Sequence, residues 1–371
     1  MRKSEDKSKT GIEKYDKDDS GHASRDDVVP NGICDNDSVR DSSVCDSGSC
    51  GLNEEVALDE LEIDKESDEE KNSERITLDD LKFIEYFERK IRKTIKDYKL
   101  FTPREKISVA VSGGKDSTAC LYVLKKLGYD VQGITIDAHI GNYTRENLEN
   151  IKSVCKKYDI PLNIVSFRSE FGMSLCYMKS VLNSKGHDYA SCMLCGIMKR
   201  YLLNKYSRNL GFDVLATGHN MDDEAEAFMM NVFRNDVSRA LRQGPISGVS
   251  KSDKFVRRVK PLYNILEAEV VRYSKLLKFP VNYGICPCSV GAYRRNFVNI
   301  LTEFEKKHPS VKYNVLRFHE SLKEKALKAN EKPADMTFCK NCGEPSSKDQ
   351  CQTCKILSEI ADVKEEENTD I

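Results

Sequence analysis

The possible folds of this chain are limited first by one apolar run and the glycine-containing loop that follows it. Ile107–Val111 has the length and composition of a buried parallel strand. The sequence SGGKDS follows at residues 112–117, and a helical pattern then continues to Leu127. Two glycines let the backbone wrap closely around an anion, and the helix N-terminus supplies free N–H groups. This turn therefore predicts a phosphate-binding loop.

Strands and helices alternate along the rest of the central region. This order predicts an α/β fold with a doubly wound parallel sheet, which binds ligands at the carboxyl ends of its strands. An amphipathic helix is expected ahead of the sheet at Asp79–Lys99, and two helical segments after it at Glu267–Leu277 and Phe297–Ala329. The predicted strands after the first are Val131–Ile136, Leu162–Ser166 and Val214–Thr217, and the helices among them are Ser117–Leu127, Arg145–Tyr158, Cys195–Leu210 and Asp222–Phe233.

The two ends of the chain differ from its middle in charge. Residues 1–75 hold 11 basic and 23 acidic residues and almost no aromatic ones, and residues 357–371 hold one basic and six acidic residues. Both are predicted to be disordered tails. The middle carries a net charge of +16, which suits a polyanion such as RNA. The predicted divisions are a tail at 1–75, an N-terminal helix at 76–106, a phosphate-binding α/β domain at 107–300, a helical extension at 301–335, a cysteine-rich segment at 336–356 and a tail at 357–371.

The expected compartment follows from the termini and the cysteines. No run approaches eighteen apolar residues, so a membrane-spanning helix is not expected, and the polar N-terminus does not resemble a secretory signal. Fourteen cysteines without an export signal indicate a reducing compartment, where thiols serve as metal ligands or catalysts. We therefore expect a cytoplasmic protein without a membrane partner.

A second polar loop follows the strand Val214–Thr217. It reads Gly218-His219-Asn220-Met221-Asp222-Asp223. Paired carboxylates at a strand end can hold Mg²⁺ against phosphates, although an acidic helix N-terminus is also favoured by the helix dipole alone. Ile136 ends the second strand, where an adenine edge would be contacted.

Three inner cysteines form the next candidate site. Cys192 and Cys195 lie one turn apart at the start of a helix, and Cys286 lies far along the chain. Three thiolates can hold a [4Fe–4S] cluster with one iron open, or they can carry persulfide chemistry without a metal. Cys288 competes with Cys286 for the third position. Cys120, Cys155 and Cys176 lie within helical patterns and are expected to be buried packing residues.

Four outer cysteines have the spacing of a closed tetrahedral zinc site. The segment has almost no core of its own, so it should fold only with metal. Cys34, Cys45 and Cys50 lack such spacing and are predicted to be free thiols. The predicted zinc ligands are Cys339, Cys342, Cys351 and Cys354.

Taken together, SGGKDS, the CxxC helix, the sequence GHNxDDEA and the Cys286 segment resemble the PP-loop ATP pyrophosphatases, and in particular their tRNA 2-thiouridine-forming branch. The resemblance covers roughly residues 80–356. It implies an enzyme that adenylates the C2 carbonyl of a tRNA uridine, at the wobble or the T-loop position, and replaces its oxygen with sulfur. ATP would become AMP and pyrophosphate. The sulfur donor would be sulfide or a ubiquitin-like sulfur carrier protein, and relatives are commonly homodimers.

The resemblance also implies a role for individual residues. Asp223 would be the catalytic aspartate near ATP and Mg²⁺, and Lys199 would stabilise developing negative charge. Cys192, Cys195 and Cys286 would hold the [4Fe–4S] cluster and deliver sulfur. ATP would contact Ala110, Ser112, Gly113, Gly114, Asp116, Ser117, Ile136 and Gly218.

Three other functions remain open at this point. One is tRNA 2-thiocytidine synthesis by a sibling branch, which usually lacks a C-terminal cysteine knuckle. Another is amide or lysidine synthesis, which does not need the inner cysteines. The third is a metal-bearing RNA-binding scaffold with an inactive ATP site. The basic residues proposed to contact RNA are Lys199, Arg234, Arg242, Arg257, Arg258, Lys260, Arg294 and Arg295.

Overall fold

The structure is a computed structural model that describes residues 12–15, 77–247, 254–329 and 337–366. Its strands are β1 (Ile12–Tyr15), β2 (Ile107–Ala110), β3 (Val131–Asp137), β4 (Leu162–Ser166), β5 (Val214–Thr217), β6 (Ile246–Ser247), β7 (Arg257–Val259), β8 (Thr337–Phe338) and β9 (Pro345–Ser346). Its helices are α1 (Leu78–Asp97), α2 (Lys115–Lys126), α3 (Gly141–Lys157), α4 (Phe167–Phe171), α5 (Leu175–Ser184), α6 (Ser191–Asn209), α7 (Met221–Phe233), α8 (Val237–Arg242), α9 (Glu267–Leu276), α10 (Arg294–Lys307), α11 (Val311–Lys328) and α12 (Gln352–Glu366), with a 3₁₀ turn at Pro287–Ser289.

Seven strands form one sheet in the order β1-β4-β3-β2-β5-β7-β6. The five inner strands are parallel, and the two edge strands β1 and β6 are antiparallel to their neighbours. The chain leaves the central strand β2 toward β3 on one side and returns to β5 on its other side. That reversal opens a crevice at the carboxyl ends of the strands. The predicted α/β fold class with a doubly wound, mostly parallel sheet is confirmed.

Helices cover both faces of this sheet. On one face α1, α2 and α9 pack around Phe87, Leu121 and Tyr273, which are fully buried. On the other face α5, α6 and α12 pack around Met178 and Met198. Because helices cover both faces, the inner strands are apolar on both sides, as their sequences indicate. None of the described helices is both long enough and apolar enough to cross a membrane.

Two predictions about the chain ends need correction. Residues 357–371 were expected to be disordered, but α12 continues to Glu366 because Ile356 and Ile360, one turn apart, are buried where α12 packs against α5 and α6. Ile12–Tyr15 also departs from the predicted tail, since it pairs with β4 as an antiparallel edge strand. The rest of residues 1–75, with its three cysteines, lies outside the described residues.

The helical extension also differs from the prediction. The segment expected as one helix at Phe297–Ala329 forms two helices, α10 and α11, with His308-Pro309-Ser310 between them. Proline lacks an N–H group and cannot continue a helix at that position. The predicted boundary after residue 300 falls inside α10.

Candidate active site and metal centres

The phosphate-binding loop connects β2 to α2 at the sheet crevice. Gly113 has a φ of +79°, and an added Cβ there would lie 2.1 Å from the carbonyl oxygen of Asn147, so only glycine fits. The backbone N–H of Ser112 donates to Ser117 Oγ at 3.1 Å. Gly114 caps α2 without any side-chain hydrogen bond, so the first N–H groups of this helix face the loop uncapped. This is the geometry that an anion needs.

The loop after β5 packs directly against the phosphate-binding loop. An added Cβ on Gly218 would lie 2.7 Å from the backbone nitrogen of Ser117, so the close approach requires glycine. Asn220 caps α7 by accepting from the Asp223 N–H at 3.0 Å, and its Nδ2 donates to Asp116 Oδ1 at 3.0 Å. One asparagine therefore holds the two predicted ATP-site carboxylates beside each other.

The adjacent carboxylates Asp222 and Asp223 serve different purposes. Asp222 is buried, pairs with Lys312 and accepts from the Glu267 N–H at 2.8 Å. Asp223 instead faces Asp116 and pairs with Arg294. Of the two adjacent aspartates, only Asp223 lies beside the phosphate-binding loop, where the neighbouring carboxylate is that of Asp116.

The sequence did not predict the position of Arg294 in this site. It was predicted as an RNA contact, but its guanidinium bridges Asp223 and Glu226, with 2.6 Å to Glu226 Oε2. Burial acts against ionisation of Asp223, but the charge of Arg294, the neighbouring His219 and the hydrogen bond from the Asn220 N–H together outweigh it and lower the pKa of Asp223. Burial raises the pKa of Glu226 to about 7, against the opposing charge of Arg294. Arg294 thus holds Asp223 ionised at the edge of the phosphate-binding loop.

The remaining ATP-site predictions lie along the same sheet edge. Ala110 ends β2 and pairs with Ile134 on one side and Thr217 on the other. Ile136 is buried near the end of β3. Lys115 Nζ contacts Asp116 at 3.1 Å and Glu267 at 2.7 Å. All eight predicted ATP contacts therefore belong to the carboxyl ends of β2, β3 and β5 or to the loops that follow them.

The inner cysteines lie on two segments that contact each other, the start of α6 and the 3₁₀ turn. Cys192 and Cys195 lie in the first turns of α6, and the Cys192 thiol donates to the Cys288 carbonyl oxygen at 3.1 Å. Cys286 immediately precedes this 3₁₀ turn. Upstream in the same segment, Asn282 pairs with Gly114 of the phosphate-binding loop as a single parallel bridge. Residues 282–288 therefore connect the phosphate-binding loop to the cysteine centre.

Burial opposes ionisation of three thiols at this centre, those of Cys192, Cys195 and Cys288. Burial raises the pKa of Cys192 and of Cys195, and Lys199 opposes this effect at Cys195. Burial and the Cys286 thiol raise the pKa of Cys288 to about 12. Burial also raises the pKa of Tyr143, and the Cys286 thiol adds to this effect. A metal that binds here would have to displace thiol protons.

The remaining cysteines of the described α/β region divide into two groups. Cys120 and Cys155 are buried, as predicted, and burial raises the pKa of each to about 12. Cys176 was predicted to be buried but is exposed, and it lies near enough to Cys288 to affect the pKa of that thiol. The α5 helix turns Leu175 and Met178 inward, which leaves the intervening Cys176 on the outer side.

The outer cysteines form a compact tetrad. The four Sγ atoms of Cys339, Cys342, Cys351 and Cys354 all lie within 4.8 Å of one another. Backbone N–H groups donate to two of them, from Cys351 to Cys339 Sγ and from Cys354 to Cys351 Sγ, each at 3.3 Å. Four thiolates with N–H donors fit the closed tetrahedral geometry of a structural zinc site.

The ribbon that carries these cysteines (Thr337–Cys354) is docked on α6. Buried Glu344 accepts a hydrogen bond from Asn204 Nδ2 at 2.8 Å and pairs with Arg208. Beyond the ribbon, Glu359 of α12 accepts from the Tyr189 hydroxyl at 2.9 Å. The predicted zinc site therefore rests on the same helix whose start holds Cys192 and Cys195.

Several predicted RNA contacts are already engaged within the protein. Lys260 is buried and pairs with Glu224 at 2.7 Å, and Arg257 pairs with Glu105 at 2.5 Å. Arg234 lies 4.4 Å over the ring of Tyr293. Within the described residues, the predicted contacts that make no ion pair and no ring contact are Lys199, Arg242 and Arg295, and Arg258 makes no ion pair.

Comparison with known proteins places this geometry in a family. Residues 84–301 match the family described as the PP-loop domain. A tRNA-5-methyluridine(54) 2-sulfurtransferase of Pyrococcus horikoshii is 40% identical over 275 residues, which are 74% of this chain and 85% of the relative. Cytoplasmic tRNA 2-thiolation protein 1 of Drosophila melanogaster is 34% identical over 281 residues, covering 74% of this chain and 80% of the relative.

A solved structure agrees with these relatives. The U34-tRNA thiolase NcsA from Methanococcus maripaludis, determined with its [4Fe–4S] cluster, has 32% sequence identity and a TM-score of 0.57, over 66% of this chain and 80% of that chain. Sequence, fold and the arrangement of loops lead to one assignment: the chain belongs to the PP-loop family, and its relatives there are tRNA 2-thiolation proteins.

Proposed function

We propose that this protein is an ATP-dependent tRNA sulfurtransferase that converts a uridine to 2-thiouridine. One observation carries the proposal: the segment 282–288 contacts the phosphate-binding loop at Gly114 and the CxxC helix at Cys192. The site that activates a base and the site that transfers sulfur to the same base must lie next to each other. The names of the relatives, which act on tRNA, support the choice of substrate.

The first step is adenylation of the uridine. The N–H groups at the start of α2 hold the phosphates, and the uridine C2 oxygen attacks the α-phosphorus. The bond from that phosphorus to the bridging α–β oxygen breaks, and pyrophosphate leaves. Asp116 and Asp223 offer the carboxylate oxygens that Mg²⁺ prefers, and the bound ion would neutralise phosphate charge. Lys199 stabilises negative charge as it develops.

The second step replaces the activated oxygen. Sulfur from the donor attacks C2, the C2–O bond breaks, and AMP leaves with both electrons of that bond. Cys192, Cys195 and Cys286 would hold a [4Fe–4S] cluster, whose open iron supplies a binding place for sulfur. Between Cys286 and Cys288 we assign Cys286, the position that the resemblance to the 2-thiouridine-forming branch implies. The donor is sulfide, which loses its proton, or the thiocarboxylate of a ubiquitin-like carrier, whose acyl carbon–sulfur bond is then cleaved by water so that the carrier leaves as a carboxylate.

The structural metal, the compartment and the oligomeric state complete the proposed function. The outer tetrad would hold Zn²⁺ for structure. We also infer a cytoplasmic enzyme that works as a homodimer, as the resemblance implies. The relatives act at two different tRNA positions, 34 and 54, so the target position is a result of the experiment.

The test is mass spectrometry of tRNA nucleosides from a strain that lacks the gene, with digestion fragments mapped to their positions. We expect 2-thiouridine to disappear at one position, to return with the wild type and to stay absent with Cys195→Ser. Cys176→Ser is the matched control, because this cysteine is exposed and has no assigned role. Loss of 2-thiocytidine instead would move the protein to the sibling reaction. Unchanged thiolated bases would eliminate sulfur transfer and favour the scaffold.

A further inference from the structure

Two arginines lie together beside the cysteine centre. Arg200 follows the CxxC motif on α6, and its guanidinium lies over Gly196, where an added Cβ would be 3.1 Å from Arg200 Nη1. Arg258, on β7, donates from Nη2 to the Arg200 carbonyl oxygen at 3.3 Å. The charge of Arg200 also acts on the Cys195 thiol. The pair therefore borders the site where sulfur would be transferred.

This pair is not neutralised by the protein. Within the described ranges, neither Arg200 nor Arg258 forms an ion pair with an acidic side chain, and Arg258 Nε is buried without a hydrogen-bond partner. Burial and the Arg200 charge lower the pKa of Arg258 to about 10. Its neighbour Arg257, by contrast, is paired with Glu105. Like charges in a partly buried place are costly unless an anion compensates them.

We propose that Arg200 and Arg258 form a binding site for one phosphodiester of the RNA backbone, next to the nucleotide that reacts. The inference rests on the proposed function, since it assumes an RNA substrate. An arginine guanidinium can donate two N–H groups to two oxygens of one phosphate, whereas a lysine ammonium acts as a point charge. A pair of arginines therefore suits a phosphate group. Phosphate contacts fix the position of a nucleic acid without reading its sequence. Arg200 and Arg258 are thus positioning residues that set the uridine against Cys195.

The experiment measures binding of an unmodified tRNA transcript to the full-length protein over a series of salt concentrations. We expect Arg258→Gln and Arg200→Gln each to weaken binding about tenfold and to reduce the slope of log K against log salt by about 1. Arg258→Lys should keep the slope and recover part of the affinity. Arg272→Gln is the control, because Arg272 lies on α9, pairs with Asp80 and is not among the predicted RNA contacts, so its dissociation constant should stay within about twofold of the wild type.

The outcomes separate this inference from the proposed function. If the wild type thiolates tRNA but both glutamine variants keep its affinity and salt slope, the phosphate site is wrong and the sulfurtransferase assignment stands. If the variants bind tRNA normally and lose thiolation only with a thiocarboxylate donor, the pair binds the carrier and not RNA. A wild type that neither binds nor thiolates tRNA overturns both. Thermal unfolding shows whether each variant is folded. If Arg258→Gln is unstable, the tRNA affinity and salt slope of Arg200→Gln test the phosphate site.

Discussion

At the scale of single residues, Asp222 and Asp223 show how two adjacent identical side chains acquire opposite tasks. Successive helical residues are about 100° apart around the axis, so only one of the two can face the phosphate-binding loop. Asp223 does so and pairs with Arg294, whereas Asp222 is turned inward onto Lys312. The sequence identified the acidic pair, but the direction of each carboxylate depends on which helices pack against α7.

This division leads to a paired expectation. Asp223→Asn should cost less unfolding free energy than Asp222→Asn, because Arg294 keeps Glu226 as a partner, and it should abolish tRNA-dependent pyrophosphate release, since it removes the carboxylate opposite Asp116. Asp222→Asn should destabilise the protein by about 3 kcal/mol, because it leaves the buried Lys312 charge without its inner partner. Denaturant unfolding and a pyrophosphate assay on both variants check this. Equal loss of stability in the two would contradict the assignment.

Glu226 gives a pH dependence at the same scale. Its pKa is raised from 4.5 to about 7, so the folded state binds its proton more tightly than the unfolded state does. The stability that this proton contributes is fully present below pH 4.5 and is lost as the pH rises through 7. We expect the unfolding free energy of the wild type, relative to Glu226→Gln, to fall by roughly 2–3 kcal/mol between pH 5 and pH 8. Urea unfolding at several pH values measures it, and a flat difference would contradict the raised pKa.

At the scale of elements, apolar runs predicted four of the five inner strands of the sheet, but they predicted neither the inner strand β7 nor the two edge strands. The strands β2 to β5 appear within a residue or two of their predicted bounds, because buried parallel strands are continuous apolar runs. The edge strand β1 lies in an acidic segment, and β6 has only two residues. Their structure comes from hydrogen bonds offered by a neighbouring strand, which no local pattern records. The exposure of Cys176 was also missed, because the local sequence does not show which side of α5 packs against the rest of the protein.

The helix α12 is the clearest missed element, and its cause can be tested. Ile356 is fully buried where α12 packs against α5 and α6, so Ile356→Ala should cost about 3 kcal/mol of unfolding free energy. Truncation after Glu366 should cost almost nothing, since the helix ends there. Thermal and chemical unfolding of the two variants give the comparison. Equal stability of Ile356→Ala and wild type would return this segment to the disordered tail that its charge suggested.

At the scale of the whole molecule, α6 connects three functions that lie far apart in sequence. Its first turns carry the inner thiols, Arg200 lies in its middle, and Asn204 and Arg208 near its end receive Glu344 of the ribbon. A long helix transmits a change at one end to the other as a rigid unit. We therefore expect the docking of the ribbon on α6 to affect how well the cysteine centre is formed, although the two sets of cysteines share no residue.

Glu344→Ala tests this connection directly. The substitution leaves all four outer cysteines in place, so the protein should still bind one zinc ion per chain, as measured by elemental analysis. It also leaves Asn204 and Arg208 without their buried partner, at a cost of about 2–3 kcal/mol, and should loosen α6. We expect faster loss of iron from an anaerobically reconstituted cluster, followed by its visible absorption. Asp349→Ala is the control, because it removes only an exposed ion pair with Lys340 on the same ribbon. Equal rates of iron loss in both variants would mean that the ribbon and the cysteine centre are independent, whereas faster loss in Glu344→Ala alone would make the docked ribbon part of the sulfur-transfer apparatus.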